Sequence, residues 1–337
     1  MGQRGREKYL DVIKVVGAIF IVALHTMSNT IHAAGSVSYA HSLCVHVVHQ
    51  LLYTAVPVFV LATGAGFLAT GRDNSYKGMR RNIIKLVLCI VLFGTLFWAL
   101  EQLMSGAHLQ AGSLIAAILG DATWSHMWYL YRLLGIYLCM PLLAVFVNHA
   151  SKKDQVIFAG LLLFFFCIYP FVAGVTGFFT AEVMPFTGIW FFYALTGGML
   201  GRLSVNTLRK YRWLALAGTT IGVGSILSVS LQQGVTYIFS ESHPLTVLLA
   251  ISLFVDIRIL CGENDSWPWQ KRLAENSLGC YIIHPIFIHV CVRILRFNPQ
   301  NHLPLLTLPI TILVIFIISM AVSDILRRVP VIRKFLL

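Results

Sequence analysis

Ten stretches of this chain are long and apolar enough to cross a lipid bilayer, and they leave little room for any other design. A spanning helix needs about 20 apolar residues, because it rises about 1.5 Å per residue across a hydrocarbon core about 30 Å thick. The stretches fall at 9–28, 44–69, 84–103, 126–147, 156–176, 186–203, 213–232, 244–261, 274–295 and 305–326. In hydrocarbon such segments can satisfy their backbone N–H and C=O groups only as helices, a barrel requiring a different, alternating pattern. Only 11% of residues are charged and 58% are hydrophobic, whereas a soluble domain carries about 25% charged residues. The expected fold is all-α: one integral-membrane domain over 1–337 with about ten transmembrane helices and no separate soluble domain.

The positive charges orient these spans. Arg4, Arg6 and Lys8 precede the first, and Arg72, Lys77, Arg80, Arg81 and Lys85 follow the second. Later clusters are Lys152–Lys153, then Arg202 with Arg209, Lys210 and Arg212, then Arg258 with Lys271 and Arg272, and finally Arg327, Arg328, Arg333 and Lys334. Together they hold 21 of the 25 basic residues, all in every second connection. The loops around 29–43, 104–125, 177–185 and 233–243 hold none, and only Arg293 and Arg296 depart from the rule. The positive-inside bias therefore places both termini in the cytoplasm. The same clustering explains the net charge of +12 without nucleic acid: the charges face an anionic leaflet and form no basic domain.

The first span could be mistaken for a secretory signal, since small residues Ala33, Ala34 and Gly35 follow it. Lys14 interrupts its apolar run, however, and its removal would leave an odd number of spans. The seven cysteines show no C-x-x-C spacing and read as small buried hydrophobes. Gly64, Gly66, Gly197, Gly198 and Gly201 fit close helix packing. Twelve histidines suggest zinc, yet no H-E-x-x-H or finger spacing exists, so no metal is expected. Nor is there a nucleophile elbow, a P-loop or a dinucleotide fingerprint.

Ionisable groups at membrane depth are costly, and they gather where a cavity or a partner receives them. Lys14 and His25 stand eleven positions apart, about three helical turns, so they share one face about 16 Å apart along the axis. Asp11, one turn before Lys14, is placed to pair with it. Each residue also has a plain structural reading: snorkelling for Lys14, an interhelical hydrogen bond for His25. On one face they describe a polar track from the cytoplasm inward. Glu101 ends the third span and Arg132 enters the fourth. The ninth carries Asn276, Ser277, Tyr281, His284 and His289. Pro285 there leaves the Tyr281 carbonyl without its usual donor, so a kink is expected, and Asn276 and Ser277 read equally as helix caps.

These residues and their surroundings resemble the membrane-bound acyltransferase family 3, and within it the surface-polysaccharide O-acyltransferases of the enterobacterial common antigen O-acetyltransferase kind. That family opens with Asp-x-x-Arg and a histidine after ten further residues. Here YLDVIKVVGAIFIVALHT sets Asp11, Lys14 and His25 in register, with lysine for arginine. VPVFVLATGAGFL is similar to the family's VPxFFxxSGFL. Arg81 and Lys85 match its basic loop. HMWYLYRLLGIYLCMPLL supplies His126, Trp128, Tyr137 and Pro141. FFYALTGGMLG and NSLGCYIIHPIFIH follow, the latter with Ser277, Tyr281 and His284. The matches run in order from residue 9 to about 290.

The resemblance implies transfer of an acyl group, acetyl foremost, from cytoplasmic acyl-CoA to a hydroxyl of a surface or lipid-linked glycan, in a bacterial cytoplasmic membrane. It implies no permanently bound cofactor. Partners would be membrane lipid, acyl-CoA and the glycan, with homo-oligomerisation left open. His25 would be general base or acyl carrier, with His284 and Tyr281 holding the acceptor or the oxyanion. Lys14, Arg81 and Lys85 would attract the donor's phosphates, although lysine lacks the planar fork of arginine. Asp11, Glu101, His126, Trp128, Arg132 and Ser277 would orient or bind. A polysaccharide exporter or other secondary transporter is the alternative. The membrane half of an amino-acid-handling enzyme would need a soluble domain that the chain is expected not to carry.

Overall fold

The computed structural model describes residues 7–31, 38–69, 72–106, 108, 110–120, 123–176, 188–233 and 239–336. Its elements are α1 (Lys8–Ile31), α2 (Tyr39–Leu52), α3 (Ala55–Leu68), α4 (Tyr76–Ser105), α5 (Ala111–Leu119), α6 (Trp128–His149), α7 (Lys152–Leu163), α8 (Tyr169–Thr176), α9 (Ile189–Arg202), α10 (Val205–Lys210), α11 (Arg212–Gln233), α12 (Pro244–Cys261), α13 (Pro268–His289), α14 (Pro304–Arg328) and α15 (Pro330–Phe335). Nine helical stretches among the described residues are long and apolar enough to cross a membrane. They coincide with nine of the ten expected spans. The sixth, expected at 186–203, starts outside the described residues, and its described part is the 14-residue α9.

Three spans differ in form from the plain helices expected. The second is α2 and α3 in tandem, joined through Tyr53 and Thr54 and covering Tyr39–Leu68. The fifth passes from α7 to α8 through a π-helical turn at Phe164–Ile168. In the ninth, α13 begins at Pro268, so Asn276 and Ser277 lie within it and cap nothing. The helix continues through Pro285 to His289 and then widens into a π turn, Val290–Ile294. Single π turns of this kind accommodate an extra residue in the ladder.

Helix α1 sits at the centre, packed against α2, α3, α12, α13 and α14. The bundle's outward faces carry large exposed apolar side chains, such as Leu92 on α4, Leu142 on α6, Leu214 on α11 and Leu313 on α14. In water that surface would drive aggregation, and in a bilayer it meets acyl chains.

The closest crossing is between α3 and α9. A β-carbon on Gly64 would stand 1.9 Å from the Ala194 carbonyl oxygen, and one on Gly197 2.0 Å from that of Leu61. Gly198 and Gly201 are also crowded, by Leu68 and by Ala65 and Ala69. A β-carbon on Gly66, grouped with them in the sequence, would meet Leu10 Cδ1 at 3.7 Å, an ordinary contact. Lipid offers no hydrophobic drive between helices, so close backbone approach of this sort supplies the dispersion that holds them.

At the end bearing the basic clusters, two arginines bind helix C-termini together. Arg202 donates from Nε and Nη2 to the Leu68 carbonyl (2.9 and 2.8 Å), and from Nη1 to that of Val147 at 2.9 Å. Arg258, 3% exposed, donates to the carbonyls of Leu200 and Leu203 and lies over the Tyr9 ring. The last carbonyls of a helix lack intrahelical donors and carry its negative pole, so a guanidinium satisfies both needs. Residues that read as orienting charges are thus also structural ties.

Gly64→Ala or Gly197→Ala must push α3 from α9 and is expected to cost about 1–3 kcal/mol or more. Gly66→Ala should be nearly silent. Thermal unfolding of the three variants in detergent checks this, and equal losses for Gly66 and Gly64 would contradict the crossing.

Candidate active site

The facing of α1 and α13 brings His25 against His284, 259 positions away. His25 Nδ1 and His284 Nε2 are 2.7 Å apart, with the rings within 4° of parallel. His284 is fully buried and its Nδ1 lies 3.1 Å from the Cys280 carbonyl oxygen, one turn back on its own helix. His25 is half-buried.

A third histidine completes the group. His126, just before α6, is buried, with its ring centroid 6.4 Å from that of His25 and 5.8 Å from that of His284. Its Nε2 faces the Ile282 carbonyl oxygen at 3.3 Å, while its own backbone carbonyl accepts the Tyr281 hydroxyl. The chain entering α6 is thereby fastened to α13 from both sides. The Tyr281 proton, expected to serve an acceptor or an oxyanion, is directed at that carbonyl in this structure. Phe97, Trp124 and Tyr129 close the aromatic wall, at 5.2 and 5.7 Å from His126 and 5.4 Å from Tyr281 respectively. Among the described residues no group of three or more His, Cys, Asp or Glu is arranged to hold a metal ion.

The remaining sequence candidates scatter. Trp128 packs against Tyr129 and Trp190 at the start of α6. Ser277, one turn before Tyr281, donates to the Ala274 carbonyl at 2.8 Å. Glu101 and Arg132 are exposed. Asp11 is buried, and the Ser266 hydroxyl donates to its Oδ2 at 2.6 Å. Lys14 is half-buried on α1, between Asp11 and the histidine level. Arg81 and Lys85 are neighbours, and Arg327 of α14 joins them beside Lys85. Arg327 was not among the sequence candidates, since a C-terminal arginine resembles any other orienting charge. It also donates to Glu275, from Nη1 to the carbonyl at 2.7 Å and from Nη2 to Oε2 at 3.0 Å.

On the side of His25 away from Lys14, polar groups continue. Ser28 Oγ lies 2.6 Å from His49 Nε2 and donates to the Leu24 carbonyl. Further on, His41 donates to Gln300, whose amide donates to Thr30. Asn298 also donates to the Thr30 carbonyl. Among the twelve histidines, nothing in the sequence singles out His41 and His49, because their partners are set by tertiary packing. Others of that set are plainly structural: His243 caps α12 by accepting from the Leu245 N–H, and burial pulls its pKa down to about 4. His32 lies outside the described residues.

The whole is a membrane-embedded helical bundle with a histidine array set between its central helix, α13 and the start of α6, polar towards both ends. A family profile described as an acyltransferase domain matches residues 7–328, nearly the full chain. The chain belongs to that acyltransferase family. It is also similar to a serine/alanine racemase of Enterococcus gallinarum, 23% identical over 338 residues. That alignment covers 93% of this chain and 46% of the racemase, so the chain spans about half the length of this curated relative. No solved structure matches it.

Tyr281→Phe leaves the buried His126 carbonyl without its donor. The expected cost is about 1–3 kcal/mol of stability, with near-normal expression. Denaturation in detergent measures it, and a variant as stable as the parent would deny the brace.

Proposed function

We propose that this acyltransferase is an O-acyltransferase, moving an acetyl group from acyl-CoA to a hydroxyl of a surface or lipid-linked glycan. The observation that carries the reading is His25 itself. It stands on the central helix, its Nδ1 engaged by His284, while among the described residues no hydrogen bond occupies its Nε2. A half-buried imidazole with one nitrogen anchored and the other open is equipped to take a proton or an acyl group. Membership in an acyltransferase family matched over residues 7–328 supports the reaction class.

In the direct route, His25 Nε2 accepts the proton of the acceptor hydroxyl as its oxygen attacks the thioester carbonyl. The new C–O bond forms, the C–S bond breaks with its electron pair leaving on sulfur, and the proton passes to the thiolate. In the two-step route the Nε2 lone pair attacks first and the C–S bond breaks with its electron pair leaving as thiolate. The glycan hydroxyl then takes the acyl group from nitrogen, and its proton passes to the thiolate. Both routes use the same nitrogen.

The donor approaches from the end that carries the basic clusters, which the positive-inside bias makes cytoplasmic. Lys14 on the His25 face, with Arg81, Lys85 and Arg327 near the rim, attracts its phosphates. The Ser28–His49 side receives the acceptor. The membrane is the bacterial cytoplasmic membrane. The racemase activity in the name of the Enterococcus protein stays with that protein, of which the match covers less than half.

Purified protein given acetyl-CoA and a glycan acceptor is expected to release free thiol and acetylate the glycan. His25→Ala should reduce this by at least about a hundredfold with unchanged expression; full transfer by that variant would sink the catalytic role. Movement of intact glycan without acylation would favour an exporter. Lys14→Met should raise the KM for the donor about tenfold, the equivalent of about 1.4 kcal/mol in binding, with a smaller effect on kcat. An unchanged KM would remove Lys14 from donor binding.

A further inference from the structure

We propose that His284 is a positioning residue that fixes the tautomer of His25, so that the lone pair at Nε2 is available before substrate arrives. The proposal rests on His25 as the reacting group and deepens that reading.

The hydrogen-bond chain has only one consistent direction. A carbonyl oxygen can accept but never donate. The Cys280 carbonyl faces His284 Nδ1 at 3.1 Å, so that nitrogen must carry the proton. Pro285 strengthens this: it has no N–H, and the Tyr281 carbonyl it leaves without an i+4 donor is a second acceptor beside the same side chain. A neutral imidazole has a single N–H, so His284 Nε2 holds a lone pair. His25 Nδ1, 2.7 Å away, must then donate to it. The proton of neutral His25 is thereby on Nδ1, and Nε2 is the free base.

This arrangement opposes the ring's own preference. In water the histidine side chain favours the tautomer with its proton on Nε2, which would block the reacting position. Without an acceptor opposite Nδ1, His25 would spend most of its time in the unreactive form. In the opposite assignment, His284 Nδ1 would turn a lone pair on the carbonyl oxygens, leaving buried acceptors face to face. A carboxylate performs this orienting task in serine hydrolases. Here a neutral ring performs it, without placing a negative charge in the membrane interior. The near-parallel rings let both nitrogens point along the line joining them.

The test uses the full chain in detergent or nanodiscs with histidine ring nitrogens labelled by 15N. The His25 signals are assigned by their loss in His25→Gln. In the parent protein, His25 Nδ1 is expected to be protonated and Nε2 unprotonated. His284→Gln can accept from Nδ1–H through its amide oxygen and should keep that tautomer, with kcat within about tenfold of the parent. His284→Leu should move the His25 proton to Nε2 and lower kcat by about a hundredfold, within the range of general base catalysis, at little-changed KM for both substrates.

An Nε2–H tautomer in the parent would overturn the proposal, as would a His284→Leu variant that keeps the Nδ1–H form. The spectrum does not depend on turnover. If no acyl transfer is found the tautomer still decides the proposal, and if His284→Leu does not fold the parent and His284→Gln spectra decide it.

Discussion

A polar group inside hydrocarbon has no water to turn to, and this single constraint organises the molecule. It makes the backbone helical, since no other open-ended form satisfies its own amides. It also explains where polar side chains gather. Arg202 and Arg258 lie against helix ends whose carbonyls need donors. Thr30, Asn298, Gln300 and His41 form a closed set at the opposite end. His25, His126 and His284 sit between, each with at least one ring nitrogen spoken for. In these three groups, polar side chains are held at depth by the partners they find in one another and in helix-end carbonyls.

Much of this was legible in the chain. Apolar run length depends on local composition alone, so nine spans coincide with their expected positions. The shared face of Lys14 and His25 follows from helical periodicity, and the family is carried by short motifs in order. What was not legible is contact between distant segments. Periodicity places His25 and His284 on their own helices, but it cannot say that the two helices meet. The same holds for Arg202 and Arg258, whose orienting role is visible in the sequence and whose carbonyl partners are not. Asn276 and Ser277 resembled caps because the apolar run starts near them, whereas α13 begins earlier, in a polar segment opened by Pro268. Glu101 and Arg132 look alike in sequence to the residues that do converge, and only packing separates them.

The array has an asymmetry that matters for chemistry. His284 is fully enclosed and His25 is half-buried, so the ring proposed to meet substrate is held by one that is closed off. The brace from Tyr281 to the His126 carbonyl fixes the wall behind both. Catalytic groups are commonly held in this way, with a rigid layer behind the reacting atoms. In this protein that layer comes from α13, while the proposed reacting group, His25, comes from α1.

The α3–α9 crossing bears on how such a chain can vary over time. At Gly64 and at Gly197 alike, the obstacle to a side chain is the opposing backbone, which no substitution removes. Neither position can drift while the other helix stays in place, and moving a helix disturbs the many contacts on its far side. Both glycines would therefore be retained across descendants as strictly as a reacting histidine, for reasons of space alone. A search for catalytic residues by invariance would count these two among its candidates and would be misled by them.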